Sequence, residues 1–218
     1  MAAVETSAVP ASGGPTLPPL PPDHLQVGRR PAQTRDGYPV RQGKGVMAGP
    51  ADTFIAYGRA WSTVSNTPFR KHKHWVHEGG IATPLIAHWP AGIRRPGRLE
   101  HTPGHVIDIM ATAVDLAGLD PPADKTPPEG LSLAPLFAGE PLAGRLLFWE
   151  HEGNRAVRDG DWKLVAEHGK PWELYNLARD RSEQHDLATA EPKRAARMAA
   201  AWEAYARRAL VEPWDRVR

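Results

Sequence analysis

At 218 residues the chain is long enough for one domain, or one domain with a small appendage. A formal charge of +2 with no basic block excludes a nucleic-acid arm, and zero cysteines excludes disulfides, thiolate zinc sites and cysteine nucleophiles together. No stretch reaches the roughly 18 apolar residues of a membrane-spanning helix, and Met1-Ala2-Ala3-Val4-Glu5-Thr6-Ser7 lacks the basic and apolar regions of a signal peptide.

Residues 1–33 read as an irregular leader. Nine of the 23 prolines fall in the first 50 residues, and Pro18-Pro19-Leu20-Pro21-Pro22 favours polyproline II. Residues 34–55 stay loop-like around Gly37, Gly43, Gly45, Gly49 and Pro50. Phe54, Ile55 and Tyr57 predict a short helix over residues 51–61. The apolar run from Ile81 to His88 predicts a strand buried on both faces of a parallel sheet, starting at or just after Pro84 and ended by Pro90 and Gly92.

A helix is predicted over residues 103–117, with Thr102 as N-cap, Pro103 in the first position and Gly118 just past its end. Val106, Ile109, Met110, Ala113 and Ala117 recur at helical spacing, with Leu116 widening the face. The proline-rich residues 120–130 read as loop. A strand and helix of this kind fit an α/β layer.

From Arg145 the pattern becomes short and β-like: Leu146 to Trp149, Ala156 to Arg158, Trp162 to Val165 and Trp172 to Tyr175. Asp159-Gly160-Asp161 is a hairpin signal between the second and third runs. These runs predict a small antiparallel sheet with tryptophans on one face. A last helix begins near Pro192. Ala195, Met198, Ala199, Trp202, Tyr205, Ala206 and Ala209 form its packing stripe, and Lys193, Arg194, Arg197, Arg207 and Arg208 its solvated face.

The chemistry-bearing stretch is residues 70–80, where Arg70, Lys71 and Lys73 and the histidines 72, 74 and 77 precede Glu78-Gly79-Gly80. A lysine beside a glycine turn can grip a tetrahedral oxyanion through charge-assisted hydrogen bonds. The same residues could equally be exposed cations on a loop. His151-Glu152 with Asn154-Arg155 crowds polar groups at a strand end. They either bond one another or line a substrate mouth. Arg179 to Asp186 reads as a salt-bridged loop of small energetic value.

Several motifs in fixed order resemble the C-terminal part of type I sulfatases of the arylsulfatase A-like group. They include Asn66-Thr67-Pro68-Phe69-Arg70, Lys73-His74-Trp75-Val76-His77-Glu78-Gly79-Gly80, Thr83-Pro84-Leu85-Ile86 and His88-Trp89-Pro90-Ala91-Gly92. Leu147 to Arg155, Gly160-Asp161-Trp162-Lys163-Leu164 and Trp172 to Leu177 continue the match. The resemblance implies an alkaline-phosphatase-like α/β fold, present in part. Residues 34–140 would be the end of the large α/β domain. Residues 141–218 would be the small C-terminal antiparallel sheet with its packed helix.

It also implies a sulfuric ester hydrolase acting on sulfate-ester small molecules or sulfated glycans, with calcium and a formylglycine nucleophile. Lys73 matches the family lysine that binds a sulfate oxygen and stabilises charge on the bridging oxygen. His151 is a second substrate-binding candidate. Glu78 is expected to fix its turn by accepting backbone hydrogen bonds, and Lys71, His72 and His74 to be surface or supporting groups.

The chain departs from the family where the chemistry is started. There is no Cys, no Ser-x-Pro-x-Arg, no Asp-Asp and no Asp-Asn; Asn66 stands where an oxidisable residue would be needed. Calcium takes six to eight oxygen ligands, while residues 34–80 offer only Asp36, Asp52 and Glu78 as carboxylates. The expectation is a C-terminal sulfatase fragment, inactive in isolation, with no metal of its own. The alternatives are a non-catalytic protein binding sulfated ligands or a partner, and a truncated gene product without function. Self-association through apolar surface is expected, nucleic-acid or membrane partners are not, and the compartment is left open.

Overall fold

The computed structural model of the chain describes residues 32–41, 46, 50–53, 58–120 and 129–217. The polyproline run, Phe54 to Tyr57 and most of the 120–130 loop lie outside the described residues. The elements in order are α1 (Gly58–Asn66), α2 (Glu78–Ile81), α3 (Ile107–Leu116), α4 (Ala134–Ala138), β1 (Leu146–His151), β2 (Asn154–Asp159), β3 (Trp162–Ala166), β4 (Glu173–Asn176), α5 (Pro192–Arg208) and α6 (Trp214–Val217).

The four strands form an antiparallel meander in the order β1-β2-β3-β4. The predicted hairpin closes with Asp159 opposite Trp162, and Gly160 supplies the left-handed residue (φ 57°). The β1–β2 turn is tighter in its demands. His151 lies opposite Asn154, so Glu152 and Gly153 alone make the turn, at φ 52° and 78°.

Side-chain alternation divides the sheet into two cores. Phe148, Val157, Trp162, Leu164 and Leu174 face α5, where Met198 and Trp202 are buried and Ala195, Ala199 and Ala206 pack alongside. Ala156, Val165 and Tyr175 face the other way and meet Val76, Leu177, Ile81 and Trp149. The tryptophans are therefore not on one face, as predicted. Trp149 is one residue out of step with Phe148, and the period of two sends it to the opposite side.

The C-terminal helix matches its predicted stripe, and Tyr205 stacks on Phe148 at 4.5 Å and 2°. Three of its five cations find partners: Arg194 lies 4.1 Å above the Trp162 ring, Arg197 pairs with Asp159 and Arg208 with Glu129.

Three predicted elements differ upstream. Ile81 to His88 is not a strand: Ile81 ends α2, and the residues after it pair with no described strand. A doubly buried strand needs neighbours on both edges; here Leu85 and Ile86 are exposed. Of the predicted 51–61 helix, Ala51 to Thr53 instead turn into a bridge with Arg41, and the described helix runs over Gly58–Asn66.

Helix α3 starts at Ile107, not Pro103, and Thr102 caps nothing: its N–H and hydroxyl both go to Glu100. Its buried side is also the reverse of the predicted one. Asp108 and Thr112 are buried, while Val106 and Met110 are exposed. The cause is backbone satisfaction. Asp108 accepts from His105 N at 2.7 Å and Leu131 N at 3.0 Å and pairs with Arg145, and Thr112 Oγ1 accepts from Leu133 N at 2.8 Å.

Candidate functional site

The segment Arg70 to Ile81 is laid across the sheet face opposite α5, anchored by Val76 in the core. It is folded back on itself. Gly79 N donates to Arg70 O at 3.0 Å and Gly80 N to His77 O at 2.8 Å. A Cβ on Gly79 would stand 2.2 Å from Lys71 O, and one on Gly80 would stand 1.8 Å from Trp75 O. The paired glycines are thus a steric requirement of the fold-back.

Beneath the segment runs a buried charge network. Lys163, at an inward position of β3, is fully buried with Nζ 3.0 Å from Glu78 Oε1 and 2.9 Å from Glu183 Oε1. Glu183 Oε2 accepts from Glu78 N at 2.7 Å, and Arg181 Nε reaches Glu78 Oε2 at 3.3 Å. Burial alone would push the Glu78 carboxyl up; Lys163, helped by Arg158 and Arg181, outweighs it and holds Glu78 below the ordinary range. Glu183 goes the other way, raised by burial and by the neighbouring Glu78 charge against the pull of Lys163.

Two sequence expectations change here. The Glu78 carboxylate fixes its turn through Lys163 and Arg181, not by accepting backbone hydrogen bonds. The 179–186 loop is not a weak surface feature, because it sends Glu183, 0% exposed, into the network.

A second knot joins the segment to β4. Arg70 donates to Tyr175 Oη at 2.8 Å and to Glu183 O at 2.9 Å, and pairs with Glu173 at 3.2 Å. Tyr175 donates to Glu173 Oε2 at 2.7 Å, and burial with that carboxylate pushes the phenol up. His77 Nε2 is 3.2 Å from the same oxygen. A carboxylate can only accept, so the Nε2–H tautomer is the one present. Burial outweighs the carboxylate and lowers His77 to about 4.

The remaining residues of the block sort clearly. Lys71 pairs with Glu167 at 2.8 Å and lies 5.1 Å from the Trp75 ring centroid. His72, expected to be a surface or supporting group, is 4% exposed and meets Trp75 edge-on at 4.7 Å. His74 Nδ1 lies 2.7 Å from Glu152 Oε2, and its ring stacks on His151 at 5.8 Å. Lys73 is half-buried and, among the described residues, has neither an ion pair nor a hydrogen bond. Arg70 and Lys71 are neutralised; Lys73 is the cation of the segment left to meet something else.

Residues 69–204 match the model of the family described as N-sulphoglucosamine sulphohydrolase, C-terminal. The chain belongs to this sulfatase family. It is 33% identical over 157 residues to an uncharacterized sulfatase of Schizosaccharomyces pombe, covering 66% of this chain and 28% of that one. It is 41% identical over 85 residues to the N-acetylgalactosamine-6-sulfatase of Canis lupus familiaris, covering 39% and 16%. The crystal structure of Ps i-CgsB in complex with k-i-k-neocarrahexaose is similar at a TM-score of 0.55 and 26% identity, over 64% of this chain and 32% of that one. The chain spans less than a third of the length of these relatives.

Among the described residues of this sulfatase chain the calcium implied by the resemblance finds no fit. Around the Arg70–Ile81 segment, Glu78, Glu167, Glu173 and Glu183 are each engaged by a cation. Among the described residues, the one cluster of metal-type donors is His74, His151 and Glu152, two nitrogens to one carboxylate. A hard cation wanting six or more oxygens is poorly served by that set.

Sequence reasoning found the Lys73 block and missed what holds it. Lys163 was legible: it stands between Trp162 and Leu164-Val165, at an inward step of a predicted strand, where a lysine needs a buried partner. Glu183 and Glu152 gave no such signal, since their contacts depend on loops folding across more than 70 residues of sequence.

Proposed function

We propose that this chain is the C-terminal part of a sulfate-ester hydrolase, with residues 34–140 completing the large α/β domain and residues 141–218 forming the small subdomain. Lys73 binds a sulfate oxygen of the substrate, and His151 borders the substrate's remainder. The observation that carries this reading is Lys73, without an ion pair among the described residues, standing in the matched segment on a base whose other charges are neutralised.

A fixed ammonium in a partly dry site stabilises negative charge that develops on the bridging oxygen as the S–O bond breaks. The name of the Canis lupus familiaris relative supports a sulfated sugar as the substrate class. Turnover needs a nucleophile, and this chain has neither a Cys nor a Ser-x-Pro-x-Arg to supply one.

The test is a calorimetric titration of the purified chain with N-acetylgalactosamine 6-sulfate, beside an assay with 4-nitrophenyl sulfate. Saturable binding is expected, weakened about tenfold or more by Lys73→Ala and less by His151→Ala, with no release of 4-nitrophenol. Equal binding by the wild type and Lys73→Ala overturns the assignment of Lys73.

A further inference from the structure

We propose that His74, His151 and Glu152 form a site for a divalent first-row transition cation, with zinc as the natural occupant, which ties the Arg70–Ile81 segment to the β1–β2 turn. The donor atoms of the three side chains already lie within 4.8 Å of one another. His74 Nδ1 and Glu152 Oε2 are 2.7 Å apart, so a proton now sits where a cation would be shared. The two imidazoles are stacked at 5.8 Å with 25° between their planes.

Two imidazoles and a carboxylate are a zinc donor set, with a fourth position left for water. Bonds of about 2.0–2.2 Å place tetrahedral donors about 3.3 Å apart. These side chains are partly exposed, and binding asks of them the rotamer changes that close that gap. The backbones beneath them are fixed. Asn154, 8% exposed, donates from Nδ2 to His74 O at 2.8 Å and to His151 O at 2.9 Å, and its Oδ1 accepts from His168 N at 3.1 Å.

Glu152 points to the same use. It occupies a left-handed turn position at φ 52°, where Asn, Asp or Gly is the stable choice. A glutamate there costs the turn about 1 kcal/mol. What it provides in return is a carboxylate long enough to reach His74. The site shares His151 with the proposed substrate border but does not include Lys73, and zinc uptake lost in Glu152→Gln tests it apart from the sulfate reading.

Equilibrium dialysis of the 218-residue chain against zinc chloride tests it, with circular dichroism on every variant. Saturable uptake of one equivalent at micromolar zinc is expected, unaffected by millimolar calcium. Glu152→Gln, a near-isosteric change on an exposed turn, should weaken uptake by about tenfold or more while leaving the fold intact. His151→Ala should do the same, and His185→Ala, on a separate exposed loop, should change nothing. Cobalt(II) in place of zinc should give the visible absorption of a low-symmetry four-coordinate site. Absence of saturable uptake, or uptake that survives both Glu152→Gln and His151→Ala, overturns the proposal.

Discussion

Lys163 is a buried cation between two buried carboxylates, and the consequences of removing it are large and pH-dependent. Lys163→Met leaves Glu183 without its counter-charge and Glu78 with Arg181 alone in contact, which costs about 3–5 kcal/mol in urea unfolding at neutral pH. Acid should then narrow the gap between variant and wild type. In the wild type the depressed Glu78 pKa gives stability present above its unfolded value and lost as pH falls. In the variant the cation that opposes burial at both carboxyls is gone, so protonation should help the folded state. A gap unchanged between pH 7 and pH 4 would show that the network is not what the substitution breaks.

His77 adds an acid limit of its own. Its folded pKa is depressed to about 4 from 6.5, so the stability it contributes is present above about pH 6.5 and is lost as pH falls toward 4. The shift corresponds to at most about 3 kcal/mol. Its Nδ1 is buried with no hydrogen-bond partner, so the second proton of an imidazolium would have no acceptor. His77→Gln keeps an N–H donor for Glu173 and removes the titration. The variant's melting temperature should fall less than the wild type's between pH 6.5 and pH 4.5.

At the scale of elements, the sheet and α5 form the part that carries its own stability. Trp202 is 6% exposed in the core, stacks edge-on to Trp172 at 6.0 Å and donates from Nε1 to Trp149 O at 3.2 Å. Trp202→Ala should therefore cost about 3–5 kcal/mol in denaturant unfolding, and a loss below about 1 kcal/mol would mean that α5 is not docked on the sheet. These elements were legible because each satisfies its backbone locally: the meander by neighbouring strands, α5 within itself. The 81–88 run and α3 were misread for the opposite reason. Their apolar residues signal burial, but burial against what is not encoded in a local period. In α3 the decisive groups are Asp108 and Thr112, whose partners at Leu131 and Leu133 lie some twenty residues away.

At the scale of the molecule, the chain is unevenly covered. Against the sheet the charges other than Lys73 are paired and the core is closed, whereas the residues between α2 and α4 leave Ile86, Leu99, Val106, Met110 and Leu119 each more than 60% exposed. The segments that carry them are linked: Trp89 meets Phe137 of α4 edge-on at 6.4 Å, Arg94 N donates to Phe137 O at 3.0 Å, and α4 packs on α3. Exposed apolar surface is removed from water when two copies meet, at about 25 cal/mol per Å². Sedimentation velocity of the isolated chain should accordingly show reversible self-association that strengthens with warming from 5 °C to 25 °C, as hydrophobic contacts do near room temperature. Ile86→Glu combined with Met110→Glu should shift the chain toward monomer without lowering its melting temperature, because both side chains are exposed already. Association that persists in this double variant, or that disappears on adding salt, would show that this apolar surface is not the contact.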